Sequence, residues 1–201
     1  MFLTFDDGPN EPFTSQILDI LKKYQVKASF FVCGKNIELF PESIKRIVKE
    51  GHAIGNHAYS HSPILSRLGL ISGEIKKTSE AIYRITGVKT HFFRPPWGFL
   101  TPWLRSYLKN NGYRIVLWDI KTRDWNGPSA EIIRDRVLDN VKPGAVVLMH
   151  DGFETKRNGD RSKTVKALPQ IIEGLKAKGY QLTSIKDLSE EKLSLFEKAT
   201  G

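Results

Sequence analysis

The chain holds a single cysteine, Cys33, in 201 residues, which excludes an internal disulfide. Its place at the end of the apolar run SFFVCG marks it as a buried core thiol, and no partner arrangement for a nucleophile is visible. Long apolar runs are missing too: none approaches the ~20 residues that a membrane-spanning helix needs. No basic-then-apolar leader stands ahead of Phe2, so no signal peptide is visible in this chain. Zinc-finger spacing, a P-loop and a dinucleotide fingerprint are all absent, which leaves nucleic-acid recognition and nucleotide-dependent chemistry without a motif. There are no low-complexity tracts and no obvious internal repeat.

What remains has the composition of an ordinary globular domain, with 40% hydrophobic and 26% charged residues. The net charge of +9 favours anionic partners such as acidic wall polymers, nucleic acid or a membrane surface. The basic residues are scattered, however, through stretches such as ILDILKKY and IKRIVKE, and read as solvated helix faces.

Short apolar runs alternate with amphipathic ones. The pattern predicts strands over 2–5, 28–32, 53–55, 92–94, 114–118, 145–149 and 180–182. It predicts helices over 14–24, 41–50, 69–86, 102–111, 130–140 and 165–178. Ile17, Leu18 and Leu21 fall on one face of the first helix. Gly51, Gly87, Gly112 and Gly179 close helices. Strand–helix alternation implies parallel strands with crossover helices. The pattern fits a nearly closed β/α barrel or an open doubly wound sheet and does not choose between them. The tail, 189–201, reads as one more helix carrying Leu193, Leu195 and Phe196.

The residues capable of chemistry share one placement: each falls at the C-terminal end of a predicted strand, where β/α folds build active sites. Asp6 and Asp7 end the first strand in FLTFDDGPN. Two adjacent carboxylates at a turn repel, and a cation between them would offset that repulsion. The competing reading is that they cap the next helix. NHAYSH supplies His57 and His61, spaced i and i+4, which on a helical turn face one metal ion. A cation held by two imidazoles takes a carboxylate as third ligand and keeps an open position for water. Asp7 fits the ligand role and Asp6 that of general base.

FFRPPWG places Arg94 where a buried strand should carry an apolar side chain, and a guanidinium there can orient a carboxylate. The stiff Pro95–Pro96 pair fixes the backbone after it, so the Trp97 N–H is a candidate oxyanion donor. TRDW and VVLMHD supply Asp124 and His150, a carboxylate–histidine pair suited to general acid work. Trp97, Trp125 and Leu148 are candidates for an apolar wall. His52 and His91 have no comparable setting and read as structural. Metal, base, acid, oxyanion donor and aromatic groove together suit metal-assisted hydrolysis of an amide or ester.

Five ordered motifs, TFDDGP, HAYSH, RPPWG, RDW and VLMH, make residues 2–188 resemble the polysaccharide deacetylases of the NodB-homology type, carbohydrate esterase family 4. The resemblance implies an α/β fold, a single-domain distorted (β/α)7 barrel over 1–188, with 189–201 as a C-terminal tail. It implies one divalent metal, zinc first and cobalt or nickel as alternatives, held by Asp7, His57 and His61. Asp6 matches the base, His150 the acid, Arg94 the arginine that positions the base, and Asp124 the aspartate that tunes the acid. Pro96, Trp97, Trp125 and Leu148 match substrate-binding positions. Ala58 departs from the Ser or Thr usual after the first histidine, which loses a loop hydrogen bond and no ligand.

The expected activity is removal of N-acetyl groups from N-acetylglucosamine units of a poly- or oligosaccharide, peptidoglycan or chitin-like, with release of acetate. Alternatives are an O-acetyl esterase on acetylxylan, a non-sugar amidase, or an inactive carbohydrate-binding relative. An inactive relative should have lost a ligand, the base or the acid, and all are present. The resemblance favours an extracellular or wall-associated monomer. Loops 61–70 and 152–163 are expected to shape the groove.

Overall fold

The computed structural model describes residues 1–154 and 159–198. Its strands are β1 (Phe2–Asp6), β2 (Ser29–Val32), β3 (Ala53–Asn56), β4 (Phe92–Phe93), β5 (Arg114–Ile115), β6 (Ile120–Lys121) and β7 (Val146–His150). They form one sheet in the order β5-β4-β3-β2-β1-β7-β6, and every paired neighbour is parallel. β1, β2 and β3 are buried at every position. Both faces of these central strands are covered, which is why they read as near-continuous apolar runs.

The sheet must curl. β5 and β6 lie on opposite edges, yet only residues 116–119 separate them in the chain. From Ile115 to Ile120 an extended chain spans at most ~18 Å. Seven flat strands at ~4.8 Å spacing would hold the edges farther apart. The result is a distorted (β/α)7 barrel whose seam is closed by residues 116–119 rather than by a strand pair. At that seam Asp119 N–H donates to Val146 O at 2.9 Å and Val116 N–H to Phe93 O at 2.9 Å.

Helices pack around the sheet: α1 (Phe13–Lys23), α2 (Gly34–Leu39), α3 (Pro41–Lys49), α4 (Pro63–Leu68), α5 (Ser72–Thr86), α6 (Pro102–Asn110), α7 (Ala130–Leu138), α8 (Ser162–Ala177) and α9 (Glu190–Lys198). In α1, Ile17, Leu18 and Leu21 are buried in the main core with Leu3, Phe5 and Phe30. Each such side chain contributes about 1.5–3 kcal/mol when fully buried, so Leu21→Ala would cost about 2–5 kcal/mol. On α9, Leu193 and Phe196 join a second core with Phe2, Val146 and Ile185, while Leu195 stays exposed. Residues 199–201 of the expected tail helix lie outside the described residues.

Four sequence expectations change. Residues 180–182 are not a strand: β2 and β7 already flank β1. The segment meets the chain start through a bridge between Phe2 and Thr183, with Thr183 N–H donating to Met1 O at 3.1 Å, and a bond from the Met1 amino group to Gln181 O at 2.9 Å. The seventh strand is instead β6, too short to show a period. Residues 116–118 leave the sheet to form the seam. The helix expected over 69–86 begins only at Ser72, as α5, because Gly69 (φ 72°) caps a separate short helix, α4, that the pattern did not predict.

Candidate metal centre and cleft

Asp6 is the last residue of β1, and Asp7 immediately leaves the strand with φ 71°. Neither caps α1, whose capping position is Pro12 with no side-chain bond. The backbone turn sends the two carboxylates apart. Asp6 Oδ1 accepts from Arg94 Nη1 at 2.6 Å. Asp7 Oδ2 accepts from the Glu154 N–H at 2.9 Å, while its Oδ1 is buried and receives no hydrogen bond.

Two imidazoles face that bare oxygen. His57 Nε2 lies 3.5 Å and His61 Nε2 3.3 Å from Asp7 Oδ1. The loop carrying them is not the helical turn expected from their spacing: Ala58 (φ 64°) and His61 (φ 54°) both adopt left-handed backbone. That double reversal, rather than helical periodicity, brings the ring centroids to 5.0 Å.

The tautomer of His57 follows from its other nitrogen. Nδ1 is 2.7 Å from Arg94 O, a carbonyl that can only accept, so Nδ1 carries a hydrogen and Nε2 is the nitrogen turned toward Asp7. Burial lowers the His61 pKa to about 4 against the opposing pull of Asp7, so this ring is neutral at neutral pH. Burial opposes ionisation of Asp7 as well, but His61 and His57 outweigh it and hold the carboxyl well below its usual range. The Nε2 atoms of His57 and His61 thus converge on one buried carboxylate oxygen of Asp7. Such a set can close around a cation, and its N, N, O donors suit a borderline divalent ion. The three ligand atoms lie within 4.8 Å of one another, and they form a metal-ligand group among the described residues.

His150 ends β7 on the other side of the cleft. Its Nδ1–H donates to Asp124 Oδ1 at 2.8 Å and its backbone N–H to Oδ2 at 2.8 Å. Thr122 and Thr164 hydroxyls also donate to Asp124, at 3.2 and 2.9 Å. Burial lowers the His150 pKa, but the charge and bond of Asp124, with Asp7 and Asp6 farther off, raise it to about 9. The ring is therefore protonated at neutral pH with Nε2 left for other work.

These groups open into a cleft of about 410 Å³. Of the residues singled out in the sequence, Asp6, Asp7, His57, His61, Trp97, Trp125, Leu148 and His150 line it. Arg94 and Asp124 are buried behind Asp6 and His150 as their partners. Pro96 does not line it: it is buried at the start of a 3-10 turn, and Pro95 lines the cleft. Trp97 sits in that 3-10 turn at φ 62°, ψ 0° and packs its ring on His61, centroids 5.1 Å apart. Trp125 meets His150 edge-on at 5.0 Å.

Trp118, Lys121, Asn126, Phe153, Glu154 and Arg161 complete the lining. Phe153, Glu154 and Arg161 belong to the loop 152–163 expected to shape the groove, whereas Trp118, Lys121 and Asn126 were not expected there: Lys121 lies on the undetected β6 and Trp118 read as strand. Part of the expected groove loop, 155–158, lies outside the described residues. His52 lies away from the cleft, where its buried Nδ1 accepts from Ala28 N–H at 3.1 Å.

A family model for polysaccharide deacetylase matches residues 1–116. A peptidoglycan-N-acetylglucosamine deacetylase of Bacillus cereus is 42% identical over 185 residues, covering 91% of this chain and 66% of that protein. A peptidoglycan-N-acetylmuramic acid deacetylase of Bacillus subtilis is 39% identical over 192 residues, covering 94% of this chain and 38% of that protein. The chain thus spans less than two thirds of the length of either relative. Among solved structures, a peptidoglycan N-acetylglucosamine deacetylase in complex with 4-naphthalen-1-yl-N-oxidanyl-benzamide superposes with a TM-score of 0.84 at 39% identity, covering 93% of this chain and 86% of that one.

Proposed function

The chain belongs to the polysaccharide deacetylase family, and from that premise we propose that it is a metal-dependent hydrolase removing N-acetyl groups from the amino sugars of a bacterial wall or chitin-like glycan. The observation that carries this reading is the convergence of Asp7, His57 and His61, with a carboxylate and a protonated imidazole on either side.

Asp7, His57 and His61 would hold one divalent cation, zinc by its donor set, which when bound acidifies water and polarises an amide carbonyl. Asp6 is the proton acceptor. Its Oδ1 is occupied by Arg94, so Oδ2, 3.7 Å from His57 Nε2, is the oxygen that takes a proton from the attacking water. His150 is the proton donor: Asp124 holds its Nδ1–H, and Nε2–H delivers a proton to the departing amine. The Trp97 N–H donates to the developing oxyanion, in a turn whose left-handed backbone re-aims it. Trp125 and Leu148 wall the space for the acetyl methyl and keep water from it.

Zinc as the resident ion, a monomeric state and a wall-associated location belong to the same proposal. No described helix is long and apolar enough to cross a membrane. Acetate release from N-acetylated chitooligosaccharides, peptidoglycan and acetylxylan tests the reading. Acetate from the amide substrates and little from acetylxylan is expected. Release from acetylxylan alone would overturn it in favour of an ester hydrolase with the same groups.

A further inference from the structure

We infer that Asn36 is a positioning residue for the metal ligands, the pivot of a brace formed by the entry into α2. The inference rests on Asp7, His57 and His61 as those ligands. The short helix α2, unseen in the sequence pattern, touches both ligand loops at once. Cys33 N–H donates to Gly8 O at 3.0 Å, just after Asp7. Gly34 N–H donates to Ala58 O and Lys35 N–H to Tyr59 O, each at 3.0 Å, within the His57–His61 loop. The side chain of Asn36 supplies the last tie, with Nδ2 donating to Asp7 O at 2.6 Å and Glu154 O at 2.7 Å. Both partners are carbonyls and can only accept, so the orientation of the amide is fixed.

Asp7 and Ala58 both carry left-handed backbone that a side chain disfavours. Such conformations persist only when surrounding bonds over-determine them. Asn36 holds the Asp7 main chain, and by holding Glu154 O it also keeps the Glu154 N–H on Asp7 Oδ2. The oxygen left over, Oδ1, is the one that faces the imidazoles. Close contact is built into the brace: a Cβ on Gly34 would lie 2.2 Å from the Tyr59 ring and 2.7 Å from the Thr78 hydroxyl. Asn36 is buried, with both donors committed to these two carbonyls.

Asn36→Asp keeps the shape and removes both donors. Zinc affinity, measured by competition with a chromophoric chelator on the full chain, should weaken about ten- to hundredfold, the range for partners behind metal ligands. Lys35→Ala, which alters only an exposed side chain of the same turn, should leave it unchanged. Asn36→Ser, with one short donor, provides a second variant should the Asp form not fold, and should fall between. A merely structural role would lower the melting temperature of the metal-free protein and spare the affinity of the folded fraction. Affinities of the Asn36 variants within about twofold of wild type, outside the ten- to hundredfold expectation, would overturn the inference and leave the metal centre standing. Wild-type protein with no zinc binding that Asp7→Ala abolishes would instead overturn the metal centre itself.

Discussion

Arg94 Nη1 donates to Asp6 Oδ1 at 2.6 Å while the same guanidinium donates to the carbonyls of Val116 and Leu117, each at 3.0 Å. One side chain thus orients the proposed base and closes the barrel seam. It is fully buried, stacked 4.0 Å over the Phe31 ring, and also reaches the Thr4 hydroxyl at 2.7 Å.

Arg94→Lys keeps a charge and loses the fork, so an ammonium cannot serve Asp6 and both carbonyls together. Each stranded buried carbonyl costs about 1–3 kcal/mol. Urea unfolding should show a loss of about 2–6 kcal/mol from those two groups together, and kcat should fall at least about tenfold as Asp6 loses its aim. KM should change less, because Arg94 does not line the cleft. Wild-type stability with wild-type kcat would contradict the double role.

The Asp124–His150 pair fixes the sign of a pH effect. The His150 pKa is raised to about 9, above the ~6.5 of an unperturbed imidazole. The stability it contributes is therefore complete below ~6.5 and is lost as pH rises through about 9. The proton-donating form disappears over the same alkaline range. Asp124→Asn removes the charge that holds the proton, so the alkaline limb of the kcat profile should move down by more than about one pH unit. An unmoved limb would remove His150 from the acid role.

Much of this was legible in the sequence because the chemistry sits at strand ends. The apolar runs of β1, β2 and β7 announce themselves through burial on both faces. Asp6, Arg94 and His150 stand out as polar residues at the ends of such runs. β6 was invisible because two residues, Ile120 and Lys121, have no period, and 180–182 misled because Tyr-Gln-Leu after Gly179 alternates like a short strand wherever it packs. The His57–His61 convergence was anticipated on a helical turn and is achieved by left-handed backbone at Ala58 and His61. Local spacing carries no information about that path. Asn36 gave no signal, since its importance lies in two carbonyls 29 and 118 residues away.

Gly8 and Asp151 are coupled through space. A Cβ on Gly8 would fall 2.0 Å from Asp151 Oδ2 and 2.4 Å from its Cγ. Asp151 is held there by the Thr14 hydroxyl at 2.6 Å, and its pKa is raised to about 7, chiefly by burial. Gly8→Ala should destabilise by about 1–3 kcal/mol or more. In an Asp151→Ala background the same change should cost less, with a coupling of about 0.5–3 kcal/mol in a double-mutant cycle. Strict additivity would show that the loop relieves the clash by moving elsewhere.

The central claim is a cation gripped by one carboxylate and two imidazoles, and anomalous diffraction from zinc-soaked crystals tests it most directly. The account predicts a peak about 2.0–2.2 Å from a carboxylate oxygen of Asp7 and from Nε2 of His57 and His61, lost in Asp7→Ala. No peak among those three atoms, or an ion bound by Asp6 with the imidazoles turned away, would contradict it.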